Sequence, residues 1–111
     1  MKRLMMKTII DYQNDEREKV LLDVRDKQEF EKETYPGAKN WYWEELIKVL
    51  EETPDEFTQQ FDKSIPIYLL CYTGLHSDDL ADILEEMGYE VYSLYGGWGA
   101  YMKWKVENYV K

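Results

Sequence analysis

One cysteine and one histidine stand in the whole chain of 111 residues. A single cysteine excludes an internal disulfide framework and every zinc site built from several thiolates. The lone histidine leaves no imidazole cluster to replace them, so no metal site is expected. Basic residues are also in short supply: 14 Lys and Arg against 23 Asp and Glu, a formal net charge of -9. Nucleic-acid binders carry the opposite sign, which argues against such a partner. The apolar runs are a few residues long, far short of the roughly 20 that cross a bilayer, so no membrane association is expected. The first ten residues, Met1 to Ile10, are basic, but their apolar part is too short for a secretory signal. The cytoplasm is therefore the expected location. No internal repeat, low-complexity tract or linker interrupts the chain. One domain over residues 1–111 follows, long enough to build a core without disulfide or metal staples.

What is present is an alternation of strand and helix signals. Lys19 to Val24, Ile65 to Leu70 and Tyr89 to Leu94 read as strands, the first two nearly continuous in apolar residues, as for strands covered on both faces. Lys7 to Ile10 suggests a short edge strand. Between them lie helical segments. Asp26 to Glu33 opens on a good capping residue, and Pro36-Gly37 follows it. Trp43 to Glu52 places Leu46, Ile47, Val49 and Leu50 at helical spacing, and Pro54 suits the first position of a fresh helix. Ser77 to Gly88 is the clearest helix: Ser77 is the expected cap, Leu80, Ile83, Leu84 and Met87 form one face, and Gly88 stands where a left-handed terminator belongs. A last helix is expected from about Gly99 towards Tyr109. Strands separated by helices predict an α/β fold with a central, mostly parallel sheet flanked by helices.

In such sheets ligands bind beyond the carboxyl ends of the strands. Cys71 directly follows Leu69-Leu70, and the loop Cys71-Tyr72-Thr73-Gly74-Leu75-His76-Ser77 leads into the clearest helix. Backbone N–H groups of that loop and of the first helical turn can converge on one point, and the helix dipole favours negative charge there. Gly74 frees the loop to curl around the sulfur. A thiolate is stabilised by that arrangement, whereas a buried structural thiol would need none of it.

Four segments in order resemble the single-domain rhodanese family of sulfurtransferases: Leu22-Asp23-Val24-Arg25 with Glu29-Phe30; Tyr35-Pro36-Gly37-Ala38-Lys39-Asn40; the Cys71 to Ser77 loop; and Tyr95-Gly96-Gly97-Trp98-Gly99-Ala100-Tyr101. The resemblance covers about Lys19 to Trp104. It implies a rhodanese-like fold in which Cys71 is the nucleophile, takes a sulfane sulfur as a persulfide, and passes it to a thiol or another nucleophilic acceptor. The backbone of Tyr72, Thr73, Gly74, Leu75, His76 and Ser77 would cradle the anion, Trp98 would stand beside the pocket, and Asp23 with Arg25 would support it. No cofactor is implied.

Two departures shape the expected substrate. The family often carries Arg or Lys at the fifth position after the cysteine, where this chain has His76. Imidazole, with a reference pKa of about 6.5, is no permanent cation. Weak thiosulfate activity is therefore expected, with a polysulfide, a small persulfide or a partner protein's persulfide as the better donor. The family's usual His before the Pro-Gly-Ala turn is replaced by Thr34. Cysteine-based phosphatases of the same general fold separate Cys and Arg by five residues; here four separate Cys71 from His76 and no Arg follows, which disfavours phosphate chemistry. The reading from another class is a non-enzymatic persulfide sensor or protein-interaction module. With no second cysteine, sulfur on Cys71 must leave to an external acceptor or another chain.

Overall fold

The computed structural model describes residues 6–72 and 75–109, without the side chains of Met6, Leu75 and His76. Five strands alternate with helices: β1 (Met6–Lys7), α1 (Ile9–Asn14), β2 (Val20–Asp23), α2 (Lys27–Lys32), β3 (Lys39–Asn40), α3 (Trp43–Glu52), α4 (Asp55–Thr58), β4 (Ile67–Leu70), α5 (Leu75–Glu86), β5 (Val91–Leu94) and α6 (Gly97–Asn108). The strands form one sheet in the order β1-β5-β4-β2-β3, and every pairing is parallel. Among the described residues no helix is long and apolar enough to cross a membrane.

Strand periodicity divides the core between the two faces of the sheet. Leu22, Val24, Ile67, Leu69, Cys71 and Val91 pack on one side with Leu46 and Leu50 of α3, Phe57 of α4, and Leu80, Ala81 and Leu84 of α5. Leu21, Tyr68, Leu70 and Leu94 pack on the other with Ile9 and Tyr12 of α1 and Tyr101 of α6. The continuous apolar runs of β2 and β4 are explained by this two-sided cover. Cys71 continues the alternation of Ile67 and Leu69 and so falls on the α5 side.

The connections fix where a site can form. From β2 the chain moves outward to β3; from β4 it moves the other way, to β5. The carboxyl ends of β2 and β4 thus flank a topological switch point, the usual place for a ligand crevice. The register brings Asp23 opposite Leu70, and the Val24 amide donates to the Leu70 carbonyl. The loops after Asp23 and after Leu70 therefore leave the sheet side by side.

At the opposite end of the sheet, polar groups pin the first helix. Arg17 bridges Asp15 and Glu90, the Tyr68 hydroxyl donates to Asp15, and Lys19 donates to the Tyr12 and Asp15 carbonyls. The Lys19 ammonium also lies 3.9 Å from the Tyr12 ring centre.

Several local expectations need correction. The edge strand stops at Lys7, and Ile9 and Ile10 open α1 instead. The reason is a capping box: Thr8 accepts from the Asp11 amide, and the Asp11 carboxylate accepts from the Thr8 amide. Pro54 precedes α4 as its capping residue rather than lying inside it. Helix α6 starts two residues early, at Gly97. Helix α5 starts at Leu75, which puts Ser77 inside its first turn rather than at its cap. Asp26 does cap α2, accepting from the Glu29 amide, and Gly88 beyond α5 has φ +100°.

Candidate active site

Cys71 sits one residue beyond β4 and is 2 % exposed. Its sulfur lies 3.4 Å from the Ser77 hydroxyl, which in turn lies 2.6 Å from the Ser93 hydroxyl. Ser77 and Ser93 are both fully buried. The sulfur therefore faces a line of two hydroxyls contributed by α5 and β5.

Gly96 and Gly97 bring a third element against the cysteine. Both have positive φ, +73° and +56°, which permits a tight turn from β5 into α6. A Cβ at Gly97 would fall 2.2 Å from the Cys71 carbonyl oxygen and 2.8 Å from the Tyr72 carbonyl. Only hydrogen fits there. The close approach lets the Trp98 amide donate to the Cys71 carbonyl. The backbone on either side of the sulfur is thus tied down by the start of α6.

The second wall comes from β2. Asp23 and Arg25 are buried and paired: the Arg25 Nη2 donates to Asp23 Oδ2 at 2.7 Å and its Nε donates to Oδ1 at 3.0 Å. Asp23 also accepts from the Arg25 amide and from the Thr34 hydroxyl, and Arg25 donates to the Glu33 carbonyl. The Asn40 side chain donates to the Asp23 and Arg25 carbonyls. A buried ion pair persists when further hydrogen bonds support it, as they do here on both partners. The guanidinium carbon lies over Trp98, 3.8 Å from its ring centre, and 5.9 Å from the Tyr72 ring centre. Arg25 thereby joins the β2 loop to the aromatic residues on both sides of Cys71.

Tyr72 is 45 % exposed at the mouth of this arrangement. Loss of water around its hydroxyl raises the phenol above its ordinary pKa, and the Glu29 and Asp26 carboxylates add to the shift. It remains a neutral hydrogen-bonding group at physiological pH.

The structure brings Cys71, Tyr72, Ser77, Trp98, Asp23 and Arg25 together at one edge of the sheet. Ser77 contributes a buried hydroxyl. Thr73 and Gly74 lie outside the described residues, as do the side chains of Leu75 and His76. Three participants were missed from the sequence. Ser93 had one signal, a polar residue on the core-facing parity of an apolar strand. Thr34 and Asn40 stand beside and within the Pro-Gly-Ala segment that carries the resemblance, but their contacts with Asp23 are reached only through the fold.

A family model for the rhodanese-like domain matches residues 6–103. The thiosulfate sulfurtransferase GlpE of Coxiella burnetii is 33% identical over 93 residues, which cover 83% of this chain and 77% of that protein. Among solved structures, reduced Bacillus anthracis CoADR-RHD superposes with a TM-score of 0.64 at 28% identity over 89% of this chain, which spans only 16% of that longer polypeptide. The human single-domain sulfurtransferase TSTD1 shares the fold with a TM-score of 0.69 at 19% identity, covering 89% of this chain and 96% of that one. This chain belongs to the rhodanese-like family of sulfurtransferase domains.

Proposed function

We propose that Cys71 carries a sulfane sulfur as a persulfide and delivers it to a thiol acceptor. The observation that carries this reading is the position of the chain's single cysteine: at the switch point of the sheet, directly after β4, with its backbone clamped by Gly97 and Trp98. In the first half-reaction the Cys71 thiolate attacks the outer sulfur of the donor. The Sγ–S bond forms, the donor's S–S bond breaks, and its electron pair leaves with the remainder of the donor as a thiolate, or as sulfite from thiosulfate. In the second, the acceptor thiolate attacks the outer sulfur of the persulfide and Cys71 leaves as thiolate. Neither step asks for a resident cofactor. A reducing cytoplasm suits this cycle, because it keeps the thiol reduced and supplies acceptors.

The related GlpE proteins make thiosulfate the first donor to test. A polysulfide or an organic persulfide is the better donor by this reading. Arg25, the cation that lies against Trp98 and Tyr72 among the described residues, is committed to Asp23 and the Glu33 carbonyl, and the chain as a whole is strongly acidic. Tyr72 and Trp98 present aromatic surface, which favours an organic donor over a small hydrated dianion. The test is the intact mass of the protein after exposure to thiosulfate and, separately, to polysulfide, read again after reductant. Gain of one sulfur atom, removed by reductant and lost in Cys71→Ser, is the expected result. No gain from either donor would hand the lead to a persulfide-independent binding role.

A further inference from the structure

We propose that Ser77 and Ser93 form a hydroxyl relay that stabilises the Cys71 thiolate, with Ser77 as a catalytic residue and Ser93 as a positioning residue acting through it. The inference rests on the reading of Cys71 as the sulfur carrier. Three polar atoms follow one another in contact: Cys71 Sγ, Ser77 Oγ at 3.4 Å from it, and Ser93 Oγ at 2.6 Å from Ser77 Oγ. All three residues are at most 2 % exposed, so bulk water does not orient their hydroxyls. Each serine hydroxyl is one donor and two acceptor sites on a freely turning bond. A thiolate has no proton to give. Once Cys71 ionises and its proton passes to solvent or base, Ser77 donates to the sulfur, and the 2.6 Å contact is then filled by Ser93 donating to Ser77. Both O–H bonds point toward the charge, neither serine loses its proton, and the bond to the sulfur is of the stronger, charge-assisted kind.

The scaffold holds the relay rigidly. Ser93 is on β5, paired in register with Leu69, two residues before Cys71, and also with Met6. Ser77 is in the first turn of α5. The relay therefore ties the end of β4 to the two elements that follow it.

Its place in the cycle follows from where the charge lies. In the loaded enzyme the negative charge is on the outer sulfur, and Sγ is a neutral bridge. The relay touches Sγ, so it acts on the attacking thiolate during loading and on the departing thiolate during discharge. Backbone groups of the loop remain the natural holders of the outer sulfur.

The experiment is alkylation of Cys71 by iodoacetamide in the full chain, followed by intact mass across a pH series, with no sulfur donor present. Ser77→Ala should move the profile to higher pH and slow alkylation at pH 7 roughly tenfold, the usual effect of one hydrogen bond to a charged group. Ser93→Ala should move it the same way by less. The double variant should match Ser77→Ala alone, because Ser93 acts only through Ser77. Where Ser77→Ala fails to fold, Ser93→Thr, which keeps the hydroxyl, should retain the wild-type profile while Ser93→Ala does not. Unshifted profiles, or additive effects in the double variant, overturn the relay. Polysulfide loading of the wild type separates this from the underlying reading: a protein that alkylates but never loads sulfur refutes the carrier role, whereas a loading protein with unshifted serine variants refutes only the relay.

Discussion

Replacing Gly97 by alanine tests whether the turn into α6 clamps the cysteine. The new Cβ would lie 2.2 Å from the Cys71 carbonyl oxygen and 2.8 Å from both the carbon and the oxygen of the Tyr72 carbonyl. These are backbone atoms, so no flexible side chain can move aside. The φ of +56° adds the left-handed penalty for a residue with a Cβ, about 1–2 kcal/mol. Separating the strands of chain to relieve the clash breaks the hydrogen bond from the Trp98 amide to the Cys71 carbonyl, about 1 kcal/mol more, with a further cost for any buried group left unpaired. A loss of about 3 kcal/mol is expected, which for a chain of this size lowers Tm by roughly 12 °C. Gly99→Ala is the control. It lies two residues later, inside α6, with nothing within 4 Å of its added Cβ, and should gain about 0.5–1 kcal/mol from helix propensity. Thermal melts of the two variants give the stability difference. Alkylation of Cys71 in Gly97→Ala, measured well below its Tm, then reports whether the sulfur has become more accessible. Equal melting of Gly97→Ala and wild type, with unchanged alkylation, would refute the close approach and the clamp built on it.

Other perturbations probe the remaining supports. Asp23→Asn leaves the buried Arg25 guanidinium without its carboxylate and should cost about 3–5 kcal/mol in a urea melt; a variant as stable as wild type would show the pair to be dispensable. Asp15 is held well below the usual carboxylate range, first by Arg17 and then by the Tyr68 hydroxyl. A carboxyl lowered on folding stabilises the fold in full above its unfolded pKa, about 3.9, and progressively less as pH falls toward the folded value. Asp15→Asn should therefore melt below wild type at pH 7, with the gap narrowing as the pH drops below about 4; a pH-independent gap would assign the effect to packing. His76→Arg restores a permanent cation at the fifth position after the cysteine and should raise turnover with thiosulfate without raising turnover with polysulfide. No gain in a sulfite-release assay would remove the missing cation as the reason for donor choice.

Much of the molecule was legible without coordinates. Apolar continuity marked β2 and β4 as central strands, because a strand covered on both faces has no solvent side to alternate with. Asp26 capped α2 and Gly88 terminated α5 as their chemistry requires, since both are local events settled within a few residues. The single cysteine at a strand-to-helix junction and the ordered motifs around it pointed to the site and to sulfur transfer. Tertiary structure decided the rest. Helix α5 begins at Leu75, two residues before the expected Ser77 cap, and near the start of the chain the local capping box of Thr8 and Asp11 outweighed the β-branched run of Ile9 and Ile10. Only the parallel register of β4 with β5 brings Ser93 near the sulfur, and only the pairing of β2 with both β4 and β3 gathers Thr34 and Asn40 around Asp23. A sequence reports what each residue prefers among its neighbours along the chain. Which distant residues share a buried charge or line up beside a sulfur is set by strand order and register, and these emerge only when the whole core packs at once.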